Sequence, residues 1–332
     1  MTEAARWYNA VVRYCGLSAA SFQLTSGNIP LGTTSTALWS IFDMVPPDAF
    51  ENYNPAPGNS FSTNYGAILT ALKPGGLASA ALASWNNAGG FDAVKAYDRT
   101  VTDLRNGLNG VPGATVSFVV GKDSADLSGA WAQQGSETEG GLFRRSSQGS
   151  TRRVVPPPLQ PGTVVEVRFD HVLTFVAGPL SKKNPLDVEL RNYKPWYNSA
   201  ALKLALDDRR AWCDPSHWPT YFKAGTGSLL RCITSIVVVD GVTSITRPAA
   251  ASKTLEVELP TPGIKPNDPA TDDVGFWPFA ISPDERNEPR LELAALPSGG
   301  VTIVSKPGNP LLLGVNVQSI SASLGATVMI SP

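Results

Sequence analysis

The sequence predicts an α+β protein, with a small N-terminal helical region packed on a larger antiparallel β-sandwich that carries one inserted helix. Three observations predict it. Before residue 110, apolar side chains recur at spacings of three and four; beyond 112 they alternate; near 195–212 the helical spacing returns once. The expected division is a helical region over 1–110 and a β domain over 111–332. A chain of 332 residues has room for one large or two medium domains.

The first helix is expected around Ala4, Tyr8, Val11, Val12 and Cys15, which fall on one stripe, with Cys15 as a small buried hydrophobe. A second carries Leu38, Ile41, Phe42 and Val45. The hydroxyls of Thr33 to Thr36 supply its N-cap, and Pro46-Pro47 stops it. A third holds Tyr65, Ile68, Leu69 and Leu72 and ends at Pro74-Gly75. The Ala-rich stretch from Leu77 to Trp85 suits close packing against a neighbour. A further helix is expected from Val94, Tyr97, Val101, Leu104 and Leu108.

After Asn109-Gly110 the rhythm becomes that of strands. Ala114 to Val120 reads as one. Residues 122–162 are poor in apolar side chains and read as a long loop. Val165, Val167, Phe169, His171, Leu173 and Phe175 then alternate with polar residues, as on a strand with one dry and one wet face. Leu186 to Leu190 and Leu255 to Leu259 repeat the pattern. Asp240-Gly241, set between β-branched residues, reads as a type I′ hairpin turn. Shorter strands are expected near Leu291, 301–304 and 311–317, and a last one over 320–330. Its small polar and aliphatic alternation also suits a membrane β-strand, although a sandwich strand explains it more simply.

Composition restricts function. A net charge of −1 offers no field to gather nucleic acid, so no nucleic-acid partner is expected. Charged residues are 17% of the chain, below the usual share of about 25%, which suits an assembling or exported surface. The first residues lack a basic stretch followed by an apolar one. Cytoplasmic synthesis without a signal peptide is therefore expected, with signal-independent export left open. Phosphate-loop, dinucleotide and nucleophile-elbow motifs fail on spacing, and no cofactor is expected. Two His and three Cys give little material for a tetrahedral metal site, and no metal is expected.

The catalytic candidates are few. His171 sits on an apolar strand face, where a hydrogen-bonded core histidine is the simpler reading. Cys213, Asp214 and His217 form the one local cluster of reactive types, though Pro215 breaks helical geometry between them. A disulfide between Cys213 and Cys232 is the special role these cysteines suit best. Arg144, Arg145, Arg152 and Arg153 can clamp an acidic partner, and Trp277 beside Asp272-Asp273 can stack on a sugar. The favoured reading is a non-catalytic, surface-acting protein: an assembly component, a binding module or an exported membrane-active effector. Its partner would be another protein or a second copy, with glycan or membrane as other classes. The competing reading is a hydrolase or lyase using His171 or the Cys213/His217 region.

Overall fold

The computed structural model describes residues 3–31, 34–47, 58–91, 101–119, 162, 164–176, 196–247, 274–276, 279–281, 291–295, 301–305, 308 and 310–325. The expected strands at 186–190 and 255–259, the stretch 122–161 and the helix before Val101 lie outside them.

The N-terminal elements are α1 (Glu3–Tyr14), β1 (Phe22–Pro30), α2 (Ser35–Phe42), α3 (Phe61–Ala71), α4 (Gly76–Asn87) and α5 (Val101–Leu108). The caps follow the sequence. The Thr34 hydroxyl accepts from Ala37 N–H at the start of α2, and Ser60 accepts from Thr63 N–H at the start of α3. The Asp43 carboxylate adds a second cap to α3, taking Ser62 N–H at 2.8 Å and the Ser62 hydroxyl at 2.6 Å. Close packing of the Ala-rich α4 is visible at Gly66, where a Cβ would lie 3.0 Å from the Trp85 indole.

Then come β2 (Ala114–Val119), β3 (Val164–Val176), α6 (Ser199–Asp207), the short α7 (Trp218–Phe222) and β4 (Arg231–Arg247). The inserted helix starts four residues later than Pro195, because the Asn198 side chain caps it on Ala201 N–H. The chain continues with β5 (Val274–Phe276), β6 (Phe279–Ile281), β7 (Leu291–Ala295), β8 (Val301–Ser305), β9 (Leu311–Ser319) and α8 (Ile320–Gly325).

The main sheet is antiparallel and curled, in the order β1–β9–β4–β3–β2. β8 pairs with the last residues of β4 and β7 pairs with β8, while β5 and β6 form a separate ribbon. Helices and a curled antiparallel sheet together make the protein α+β. A second large sheet facing the first, as the sandwich expectation requires, is not among the described residues.

The expectation of one wet face fails in the sheet centre. Ile236, Val237, Val238 and Val239 of β4 are all buried, as are Leu311, Leu312 and Leu313 of β9. One face packs on α1 through Trp7, Tyr8, Ala10 and Val11. The other packs on α2 and α5 through Leu38, Trp39, Ile41, Leu104 and Leu108. A continuous apolar run is what a strand covered on both sides requires. Each such side chain contributes roughly 1.5–3 kcal/mol by leaving water. A third core joins α3, α4, α6, α7 and α8 beside the sheet.

Three further expectations are corrected. Asp240-Gly241 does not turn the chain, since β4 runs through it and stays paired with β3 on either side. Gly241 keeps the positive φ the dipeptide favours, at 61°, but uses it to bend the strand. Both strands change face at this bend. Val165, Val167 and Phe169 enter the α1 core, whereas Leu173 and Phe175 enter the α2/α5 core. The six alternating residues of β3 therefore do not share one face. The strand expected from Ile320 begins instead as α8, because Ser319 caps a helical turn by accepting from Ala322 N–H. The strand β1, which the sequence does not announce, closes one side of the sheet against β9.

No helix among the described residues is long and apolar enough to cross a membrane.

Candidate functional site

The catalytic candidates fall in two places, His171 on β3 and Cys213, Asp214 and His217 on one turn. His171 lies on β3 at the bend, half-buried, with Nδ1 3.0 Å from the Val111 carbonyl oxygen. A carbonyl only accepts, so Nδ1 carries the proton and the ring is tied to backbone. Asp240, opposite His171 in the ladder, takes Gly308 N–H at 3.1 and 2.9 Å from its two oxygens. Asp170, beside His171, pairs with Arg168 Nε at 3.2 Å.

Cys213, Asp214 and His217 lie together on an exposed turn after α6. Asp214 caps that turn, its carboxylate accepting Ser216 N–H at 2.9 Å. Hydrogen bonds from the Ser216 side chain and backbone hold its pKa below the ordinary carboxylate value. His217 Nε2 is 3.8 Å from Asp214 Oδ2, and both side chains are more than half exposed. Solvent reaches this contact from outside, so the pair gains little from Coulomb attraction.

All three cysteines are free, and no bridge joins Cys213 to Cys232. Burial pushes the Cys232 thiol up to about 11 and the Cys15 thiol up to about 12, so both stay protonated. No cluster of three His, Cys, Asp or Glu able to hold a metal occurs among the described residues. Arg144, Arg145, Arg152, Arg153 and Trp277 lie outside the described residues.

The aromatic residues of the segment before α6 are used in packing. Trp196 lies between the rings of Phe61, Phe91 and Trp85, at centroid distances of 5.3, 4.7 and 5.9 Å. Asn198 N–H donates to Tyr65 Oη at 2.9 Å, which fixes the start of α6 on α3. Burial pushes the Tyr197 phenol up to about 12. This cluster fastens α3, α4 and α6 together.

Among the described residues, the outer sides of the edge strands are where outward N–H and C=O groups can serve as a template for another strand. The edges differ. At β1, Phe22, Gln23, Leu24 and Thr25 are buried, Gln23 Nε2 donates to Pro47 O at 2.8 Å, and the register slips between Leu24 and Ile29. Pro30 ends that strand. At β7, Glu292 puts a charge in the strand. Cover, irregularity, proline and charge are the usual protections of an edge.

Among the described residues, β2 has none of them. Ala-Thr-Val-Ser-Phe-Val carries no charge and no proline, and at six residues it has ordinary strand length. It pairs with β3 in unbroken register from Ala114–Phe169 to Val119–Val164, and no described strand lies on its other side. Ala114, Val116 and Phe118 face the α1 core, with Phe118 5.5 Å from the Trp7 ring. Thr115 and Val119 are exposed, Val119 to 54%. Gly113 sets the strand's position, since a Cβ there would overlap the backbone oxygens of Phe169 and Asp170. The sequence signal was present: a charge-free strand directly after Pro112-Gly113. That it forms an edge depends on long-range pairing.

In comparisons with known proteins, the chain matches no family model, no curated protein and no solved structure.

Proposed function

We propose that this chain acts by association rather than catalysis, as an assembly or binding component that makes its contact by adding a strand to β2. The observation that carries the reading is the uncharged β2 edge, beside which no described strand lies, with Val119 exposed at its end. A low density of charge and a net charge of −1 support it, since copies or partners meet little repulsion. The partner is a protein segment that can extend as a strand. Recognition comes from main-chain hydrogen bonds, and selectivity from the alternation of apolar and polar side chains on the added strand.

The test is to charge the edge. The Thr115→Lys/Val119→Lys variant places two lysines on exposed positions, where surface substitutions cost little stability. Sedimentation and negative-stain imaging are expected to show assemblies for the original chain and monomers for the variant, with equal circular dichroism. A chain that remains monomeric as concentration rises, and a variant that sediments identically, would overturn the reading.

A further inference from the structure

We infer that Asn109-Gly110 is a self-modifying site: the exposed asparagine loses its amide through a cyclic imide that water opens, and the rearranged backbone releases His171 from Val111. The inference is independent of the edge-association reading and goes beyond it.

The chain has two Asn-Gly pairs, at 106 and 109. Asparagine before glycine is the pair most open to this reaction, because glycine puts no Cβ beside the attacking nitrogen. The surroundings of the two pairs differ. Asn106-Gly107 lies within α5. Helical dihedrals hold the Gly107 nitrogen away from the Asn106 side-chain carbon. Leu173 also packs on Gly107, where a Cβ would lie 3.2 Å from its methyl. Asn109-Gly110 lies in the turn just past α5, and both residues are exposed. Gly110 N–H makes a turn bond to the Gly107 carbonyl at 3.2 Å. A bond at a helix end opens more readily than one inside the helix.

The step balances with water as its one co-reactant. The Gly110 nitrogen gives its proton to solvent and attacks Asn109 Cγ. The Cγ–Nδ2 bond breaks, and Nδ2 takes a proton and leaves as ammonia. Water then opens the ring at one of its two carbonyls. One opening leaves an aspartyl residue. The other leaves an isoaspartyl residue, whose main chain runs through the side-chain methylene.

The consequence follows from the next residues of the chain. The Val111 carbonyl accepts from His171 Nδ1 at 3.0 Å, and the Pro112 carbonyl accepts from Val172 N–H at 3.2 Å. Gly113 fits against the backbone of Phe169 and Asp170 with no room for a Cβ. The link between α5 and β2 is therefore fixed at successive residues, and a methylene added at 109 displaces the first of them, Val111. Either product also adds a negative charge beside the C-terminal end of α5, where the helix dipole disfavours it.

The test incubates the full chain at mildly acid and mildly alkaline pH and follows it by peptide mass spectrometry, with histidine ring NMR before and after. The chain has two His residues, and His217→Gln assigns their signals. Conversion is expected at 109, faster in alkali because the attacking nitrogen must lose its proton, and far slower at 106. The His171 ring signals should change and those of His217 should not. Gly110→Ala is the control: its Cβ would meet the Gly107 carbonyl oxygen at 3.8 Å, an ordinary contact, while crowding the attacking nitrogen. That variant should fold as the original chain does and lose both the conversion and the His171 change. Conversion at 106 in place of 109, or none at either, overturns the site. Conversion at 109 with unchanged His171 signals overturns the release, as does a His171 change that persists in Gly110→Ala.

Discussion

The two ends of one sheet are finished in opposite ways. At β1 the chain covers its own edge: Phe22 to Thr25 are buried, Gln23 bonds to Pro47 and the register slips before Pro30. At β2 the ladder is regular, uncharged and bordered by exposed Thr115 and Val119. The strands face the same α1 core, so burial on one face does not explain the contrast. What differs is the treatment of outward backbone groups, which costs stability when they are buried without partners and leaves a binding template when they are open.

Substitutions that separate the two edges sharpen this contrast, and the largest effect is expected at β1. Phe22 is fully buried beneath Tyr8, and Phe22→Ala should cost about 3–5 kcal/mol by denaturant unfolding. Association through β2 should persist wherever that variant is folded.

Gly113→Ala should cost about 1–3 kcal/mol, because the added methyl overlaps β3 backbone. Hydrogen exchange should locate the loosening at residues 114–119 and leave β1 protected. Association should weaken with it. Equal loosening of both edges would show that they do not fold independently.

A pH effect is expected on the β1 side, where Asp43 caps α3 shortly before Pro47 in the chain, whose carbonyl accepts from Gln23 of β1. Burial raises the Asp43 pKa, and the two Ser62 hydrogen bonds oppose that rise only in part. The folded state thus favours the protonated acid. Its contribution is complete below the unfolded value of ~3.9 and is lost as pH rises through the higher folded value. Asp43→Asn should therefore gain stability relative to the original chain between acid and neutral pH, read from paired unfolding curves. A difference that does not change with pH would remove the role of burial.

The smallest effect on stability is expected at the open edge itself. Val119→Lys should shift unfolding by no more than about 0.5 kcal/mol, since the residue is exposed. Its effect should be on association alone.

Much of the fold could be read locally. Thr34 and Ser60 announce two helix starts, and the Leu38–Phe42 and Tyr65–Leu69 stripes are buried as their spacing requires. β2 and β3 also lie where alternation puts them. Three features could not be read, each for a distant cause. β1 has no clean alternation, and Gln23 and Thr25 are buried because β9 and the Pro47 segment receive them. Asp240-Gly241 supplies a positive φ, but only the pairing with β3 on both sides decides that the strand bends there instead of turning back. Ile320 to Leu324 alternate like a strand, yet a capping serine and burial against the helical core make them a helix. Of the candidate site, the strand was legible and its exposure was not, because an edge is defined by what fails to pair with it. Of the reactive types, Cys213, Asp214 and His217 share one exposed turn, where His217 approaches Asp214, while His171 sits on β3 bonded to backbone.

The central claim is that β2 is an edge kept open for another strand, and backbone hydrogen exchange at rising protein concentration tests it most directly. The amides within 115–119 that point away from β3 should exchange quickly in dilute solution and gain protection as concentration rises, while the amides of 22–25 that bond to β9 stay protected throughout. Outward amides of 115–119 that are already slow in dilute solution, or that do not change with concentration while larger species form, would contradict it.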